Sequence, residues 1–547
     1  MQTPSSRWHW LTLLAVLPAI MTVTLPDWMY SQTDYIDAWV YNGFFRHFRS
    51  YSSFMFPQTY YGSRLGWIVP GYISYRLFNP HVAAIVLHYT FYSLAVSSVY
   101  VIVRRVTDAS NALFAAFVFG LYLCAIRALG GDYVDGAVIT YALLTVAVGV
   151  HGLAESKLWA TFVSGAAAAA MVNSNMGAVF LFAPILVWFI PDSRAGWRSP
   201  SLRRHAAMWV GGIVAGTISL SVISVMVGGR WDFFLESYRW MRESRVVLSK
   251  NPWDVAGVAW IGTSPWLFLP VSTLAATLVV WLRSRGELNA GQRKAIGALG
   301  VLTLSFVLWD FVGTGAMLYW PFYASWLMPW TFIAIGAVLT PRAIESGADW
   351  IVLAVSAVIL SASLAWLKFT HIPGFGLIGF GVTFGLCLVP ALFRSSLWAR
   401  LGIVVAIACV NGWLPLTSFY LPGGDRSDAF RAIDEGMRVI DRHLTVAQPR
   451  FLLASPTKLA HYIRGLTSVY LWGYTIVSER YPSVTAEQAS LVTAGAIVVV
   501  IAEQPDAANT FDEVFAPFKL RGIPRGSESI VTDHGRLYLT FLEAKAL

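Results

Sequence analysis

Asp34 and Asp37 stand three residues apart directly after the first hydrophobic stretch, and Tyr41 follows Asp37 by four. In a helix all three share one face. Carboxylates at this spacing are groups that accept a proton in catalysis or hold a hard cation. In a chain otherwise suited to lipid, an ionisable residue is costly and tends to be functional. A second acidic pair, Asp132 and Asp135, lies in Gly130-Gly131-Asp132-Tyr133-Val134-Asp135-Gly136, just ahead of a later apolar stretch. If both pairs reach the same side of the membrane, they can meet in one cavity. A plainer reading stands beside this one for each pair. Asp34 and Asp37 can open an interfacial helix, where acids suit the positive end of the dipole. Asp132 or Asp135 can cap the helix that follows.

The elements that must position these acids are membrane helices. The 547 residues are 56% hydrophobic and 13% charged, against about 25% charged in ordinary soluble domains. Runs such as 82–103, 206–227 and 350–366 supply the roughly 20 apolar residues that cross a bilayer. About thirteen spans are expected, at 10–26, 82–103, 109–126, 136–153, 158–172, 177–190, 206–227, 265–282, 295–312, 320–339, 350–366, 375–393 and 399–416. With the N-terminus in the cytoplasm, the inner connections carry Arg104 and Arg105, Lys157, Arg203 and Arg204, Arg293 and Lys294, Arg342, and Arg394 and Arg400. That is the positive-inside pattern. The opposite side then receives loops 27–81 and 228–264, the Asp132/Asp135 connection and the C-terminal tail. The span at 10–26 follows Arg7 and lacks an Ala-x-Ala-like cleavage site, so a retained signal anchor is expected. Cys124, Cys387 and Cys409 fall inside apolar spans and read as small core residues. The net charge of +9 is explained by its placement on loops, and no nucleic-acid partner is expected.

From about residue 420 the composition changes. Pro422-Gly423-Gly424-Asp425 is a turn-rich linker. Helical period over 427–443, a short strand at 450–454, a β-branched run at 496–502 and a helical stretch near 506–517 follow. Residues 529–532 and 536–542 bracket a hairpin-like turn at Asp533-His534-Gly535. The expected fold class is a polytopic α-helical membrane protein, residues 1–420, with a C-terminal extracytoplasmic α/β domain, residues 421–547.

One span, a long outer loop opening on an acidic motif, two spans, a short acidic loop, about ten further spans and an extracytoplasmic α/β domain form a recognisable plan. It resembles the C-type (GT-C) membrane glycosyltransferases, and it is similar to the lipid A aminoarabinose transferases and the bacterial protein O-mannosyltransferase-like enzymes. These often carry Asp-Glu-x-x-Tyr in the first loop. Here Asp37 and Tyr41 match, Ala38 takes the Glu position, and Asp34 is the candidate substitute. The Trp-Trp-Asp-Tyr-Gly motif of oligosaccharyltransferases is absent, which disfavours asparagine-linked transfer.

The resemblance implies transfer of a hexosyl or pentosyl group from a polyprenyl-phosphate donor to a lipid, polysaccharide or protein acceptor. The expected place is the outer face of the bacterial plasma (inner) membrane, among membrane lipids. It implies Asp37, with Asp34, as the catalytic carboxylates. Asp132, Asp135 and Tyr41 become donor or acceptor contacts, and Asp132 and Asp135 also suit a divalent cation, Mg or Mn. For the phosphate, the candidates are Arg64, Arg127 and the stripe Arg239, Arg242 and Arg245. That stripe equally fits an interfacial helix snorkelling to headgroups. His81 and His88 at the edge of the second span read as hydrogen-bonded structural residues, and Asp310 either lines the cavity or sits at the water interface. The glycines at 376–385 are explained by close helix packing, and no nucleotide-binding motif occurs. A competing class is a lipid or polysaccharide transporter or flippase, which calls for broken helices and mid-membrane ionisable groups.

Overall fold

The structure, a computed structural model, describes residues 4–30, 36–55, 59–131, 133–191, 199–239, 242, 264–284, 286–312, 317–340, 348–365, 375–392, 396–413, 426–444, 451–454, 462, 465–466, 477–478, 490–505, 508–533 and 535–547. A helix lies on each of the thirteen hydropathic ranges. Among the described residues six helices are long and apolar enough to cross a membrane: Pro80–Val106, Val134–Ala154, Pro200–Met226, Pro265–Arg283, Ala290–Phe311 and Pro321–Leu339. Shorter apolar helices occupy Leu158–Val172, Met176–Phe189, Trp350–Ala365, Ile378–Pro390 and Leu397–Trp413.

The range 109–126 is not straight. Ala109–Gly120 and Leu123–Leu129 meet at a 70° bend. Asn411, fully buried on another helix, satisfies the backbone freed at the break. Its Oδ1 accepts from the Leu123 amide at 3.0 Å, and its Nδ2 donates to the Leu121 carbonyl at 3.2 Å. Backbone groups left unpaired at membrane depth would each cost several kcal/mol. The first hydrophobic stretch is also irregular, with a π-helical turn at Thr12–Val16 between Pro4–Leu11 and Leu17–Thr24. Pro18 offers no N–H to the Leu14 carbonyl four residues back, and the Tyr89 hydroxyl donates to that carbonyl instead. The three cysteines are free, with Cys124 and Cys387 buried.

The tail folds as expected in kind. Strands β1 (Phe451–Ala454), β2 (Val477–Ser478), β3 (Ile497–Ala502), β4 (Leu520–Thr532) and β5 (Gly535–Ala546) form one sheet in the order β2-β1-β3-β5-β4. β1 runs parallel to β2 and β3, while β5 is antiparallel to β3 and β4, with Thr532 opposite Gly535 at the hairpin. Alternation explains why β3 is apolar throughout. Val499 and Ile501 face one core, whereas Val498 and Val500 face a second core closed by Phe511 and Phe515 of helix Ala508–Phe515.

The first of these cores is shared with the membrane part. Helix Arg426–His443 is amphipathic, and it buries Ala429, Phe430, Ile433, Met437 and Ile440. These join Trp39, Tyr41, Phe44 and Phe45 of helix Ile36–Ser50 in a single cluster. The Phe430 ring lies 5.7 Å from Trp39 and 5.3 Å from Tyr30, centroid to centroid. Two polar ties flank this seam, Arg46 with Asp434 and His47 with Asp441 at 2.8 Å. The tail therefore packs directly on the helix that carries Asp37. Asp434→Ala removes the partner of the buried Arg46 side chain while Asn42 still accepts from its Nε. The expected cost is about 1–3 kcal/mol, read as a lower thermal-unfolding midpoint; an unchanged midpoint would contradict this seam.

Candidate active site

Asp37 lies in the first turn of helix Ile36–Ser50, with its side chain partly buried. Tyr61 donates to Asp37 Oδ1 at 2.5 Å, and Tyr133 is a second hydrogen-bond partner of the same carboxyl. Arg64 sits beside them, 8% exposed. Its Nη1 donates to the Tyr41 hydroxyl at 2.6 Å, and its guanidinium carbon lies 4.8 Å from the Tyr60 ring, 5.7 Å from Tyr41 and 5.8 Å from Tyr133. Three π faces and a phenol oxygen thus enclose one cation, and each is attracted to it.

Local structure puts Arg64 there. It caps helix Leu65–Leu77, after a turn closed by Ser63 Oγ donating to the Tyr60 carbonyl at 2.6 Å. The Gly66 amide donates to the Asn173 carbonyl at 3.0 Å. A Cβ at Gly66 would fall 2.2 Å from the Ala170 carbonyl oxygen, so only glycine lets this helix start so close to the neighbouring span.

Asp135 enters from another helix. It lies in the first turn of Val134–Ala154, is 1% exposed, and accepts from Trp326 Nε1 at 2.9 Å. It does not cap the helix, because Tyr133 occupies the N-cap position. Gly131, at φ +78°, turns the chain into this segment. The Arg64 charge acts on both Asp37 and Asp135, and Tyr323 and Tyr133 feel both carboxylates. Asp37 and Asp135 therefore both lie within the field of Arg64.

Burial raises the Asp37 carboxyl above the usual carboxylate range; the Tyr61 hydrogen bond, the Arg64 charge and Tyr133 oppose this without cancelling it. Burial and the Asp37 charge raise the Tyr61 hydroxyl in turn, so it remains a donor. Tyr61→Phe deletes a bond to the ionised form of Asp37, which must raise the Asp37 pKa further. Any activity that needs Asp37 as a base is then expected to keep its plateau while its acidic limb moves up by roughly one pH unit. An unmoved limb in a pH–rate profile would separate Tyr61 from Asp37.

The other sequence candidates fall elsewhere. Arg239 pairs with Glu236 and, at 3.1 Å, with Asp232, while Arg242 is exposed. Arg127 lies in the last turn of Leu123–Leu129, leading into the acidic loop. Asp34, Asp132 and Arg245 lie outside the described residues. His88 Nδ1 bonds the Leu129 carbonyl at 3.0 Å, and His81 Nε2 bonds the Tyr30 hydroxyl at 2.6 Å, both structural as expected. Asp310 accepts the amides of Met317 and Leu318 at 2.7 and 2.9 Å, which makes it a clamp on the chain rather than a cavity acid.

Among the described residues no group of three or more His, Cys, Asp or Glu is placed to hold a metal. Of the pair expected to hold a cation, Asp135 faces the Trp326 donor and the Arg64 charge, and Asp132 lies outside the described residues. Sequence reasoning missed Tyr60, Tyr61, Tyr133, Tyr323 and Trp326. Their only signal was aromatic richness, which also marks an interfacial belt.

No protein-family model matches the chain, and no curated protein matches it in sequence. Solved structures do. ArnT from Cupriavidus metallidurans, in the apo state and bound to undecaprenyl phosphate, superposes with a TM-score of 0.52 at 16% identity over 98% of both chains. The oligosaccharyltransferase AglB from Archaeoglobus fulgidus, in complex with an inhibitory peptide and a dolichol-phosphate, gives a TM-score of 0.47 at 11% identity, over 98% of this chain and 74% of its own. From end to end, this chain shares the fold of ArnT.

Proposed function

We propose that this protein moves a sugar from a polyprenyl-phosphate donor to a lipid, polysaccharide or protein acceptor at the outer face of a bacterial plasma membrane. The observation that carries this reading is the Asp37–Tyr61 pair beside the enclosed Arg64, with Asp135 in the same field. Support also comes from the fold shared with ArnT, which is known bound to undecaprenyl phosphate. The basic residues on the short connections support an N-terminus in the cytoplasm, with the membrane part, 1–420, holding the site and 421–547 lying outside.

In the reaction the acceptor's nucleophile attacks C1 of the sugar as its proton passes to Asp37. The C1–O bond to phosphate breaks, and the electron pair leaves with the polyprenyl phosphate. A carboxylate whose pKa is raised by burial is a better proton acceptor near neutral pH than an ordinary one. The leaving phosphate gains charge, which the Arg64 guanidinium stabilises from a site already emptied of most water. Asp135 accepts from sugar hydroxyls and so orients the ring. The test is to incubate the purified protein with a panel of polyprenyl-phosphate sugars and acceptors and measure free lipid phosphate. Release from at least one donor is expected; none from any donor would overturn the reading.

A further inference from the structure

One segment beside these acids takes no part in the chemistry above. The chain from Met317 to Trp326 carries Tyr323, which feels both carboxylates, and Trp326, which donates to Asp135. Trp320 and Phe322 lie nearly parallel, 16° apart with centroids at 5.7 Å, and both are partly exposed. Phe322 meets Tyr133 edge-on at 6.3 Å and Tyr323 at 4.5 Å. Tyr133 reaches Asp37, and Trp326 reaches Asp135. The rings are held in place before any ligand arrives. Asp310 clamps the Met317 and Leu318 amides, Trp266 Nε1 donates to the Leu318 carbonyl at 3.1 Å, and Pro321 starts the short helix Pro321–Ala324.

A nearly parallel aromatic pair with the phenols of Tyr133 and Tyr323 against Phe322 matches one kind of ligand. A sugar ring has a C–H face, which the negative face of an aromatic ring attracts, and a rim of hydroxyls, which carboxylates and phenols bind. An acyl chain would satisfy the rings but leave Asp135, Tyr133 and Tyr323 facing hydrocarbon, at a desolvation cost. We propose that Trp320 and Phe322 form the stacking platform for the sugar ring of the lipid-linked donor, with Asp135 and Tyr323 at its hydroxyl edge. The inference rests on the glycosyltransferase reading and adds where the transferred sugar lies.

The test uses the full-length protein and whichever panel donor the wild type turns over. Trp320→Leu and Phe322→Leu keep apolar volume but lose the aromatic face. Each is expected to raise KM for the donor about five- to tenfold, with kcat within about twofold, because aromatic stacking contributes up to about a tenfold factor. Trp320→Phe is expected to recover most of the loss. Binding of sugar-free undecaprenyl phosphate, measured on the same preparations, is expected to stay at the wild-type value. An unchanged KM in the leucine variants overturns the platform, as does equal weakening toward the sugar-free lipid, which would make these rings lipid contacts. Silence of the wild type on the whole panel overturns the glycosyltransferase reading and the platform with it.

Discussion

Asp37→Asn is expected to lower sugar transfer by about 10²–10⁴-fold, the usual contribution of a positioned general base, while the protein inserts and folds normally. Asparagine keeps the size of the side chain, and its carbonyl oxygen can still accept from Tyr61, which now donates to Asp37 Oδ1. What it cannot do is take a proton. The loss should therefore fall on kcat, with donor KM little changed. The measurement is steady-state transfer alongside thermal unfolding. Full activity in a folded variant would remove Asp37 from the reaction.

Arg64→Met is the second large effect. The guanidinium acts on Asp37 and Asp135 together and is enclosed by Tyr41, Tyr60 and Tyr133. Losing it removes the cation nearest the expected leaving group, worth about 10²–10³ in rate by comparison with single oxyanion donors. The pH dependence should change as well. Arg64 lowers the Asp37 pKa against the larger effect of burial, so its removal raises that pKa. A base active when ionised then loses activity at higher pH than before, and the acidic limb shifts upward. Tyr61→Phe shifts the limb in the same direction but keeps the plateau rate. A rate loss in Arg64→Met with the limb unmoved would make Arg64 a phosphate ligand uncoupled from Asp37.

The spacing of Asp37 and Tyr41, and the recurrence of acids at Asp135, were readable before any coordinates because ionisable residues are rare in such a chain. So were helix Arg426–His443, by its period of 3.6, and strand β3, by its unbroken β-branched run. Long-range contacts were not readable. The bend after Gly120 depends on Asn411, 288 residues from the Leu123 amide it receives, and hydropathy sees only an apolar run. The pairing of Arg239 with Glu236, one turn ahead of it, and Asp232, two turns ahead, shows only when charges of both signs are read along the helix. Tyr61 was hidden in a long loop where aromatics also suit a headgroup belt, and Tyr133 between the two acids of the short connection. The docking of the tail on the Asp37 helix needed a contact between Arg46 and Asp434, which no local pattern announces.

The most direct measurement follows phosphorus in the donor lipid by NMR, with wild type and Asp37→Asn run in parallel on the same polyprenyl-phosphate sugar and acceptor. A sugar bound to polyprenyl phosphate is a phosphodiester, and transfer leaves a phosphomonoester. Conversion of diester to monoester by the wild type, with almost none by Asp37→Asn, is the expected result. Equal conversion by both proteins, or none by the wild type with any donor, would contradict a glycosyl-transfer site built on Asp37.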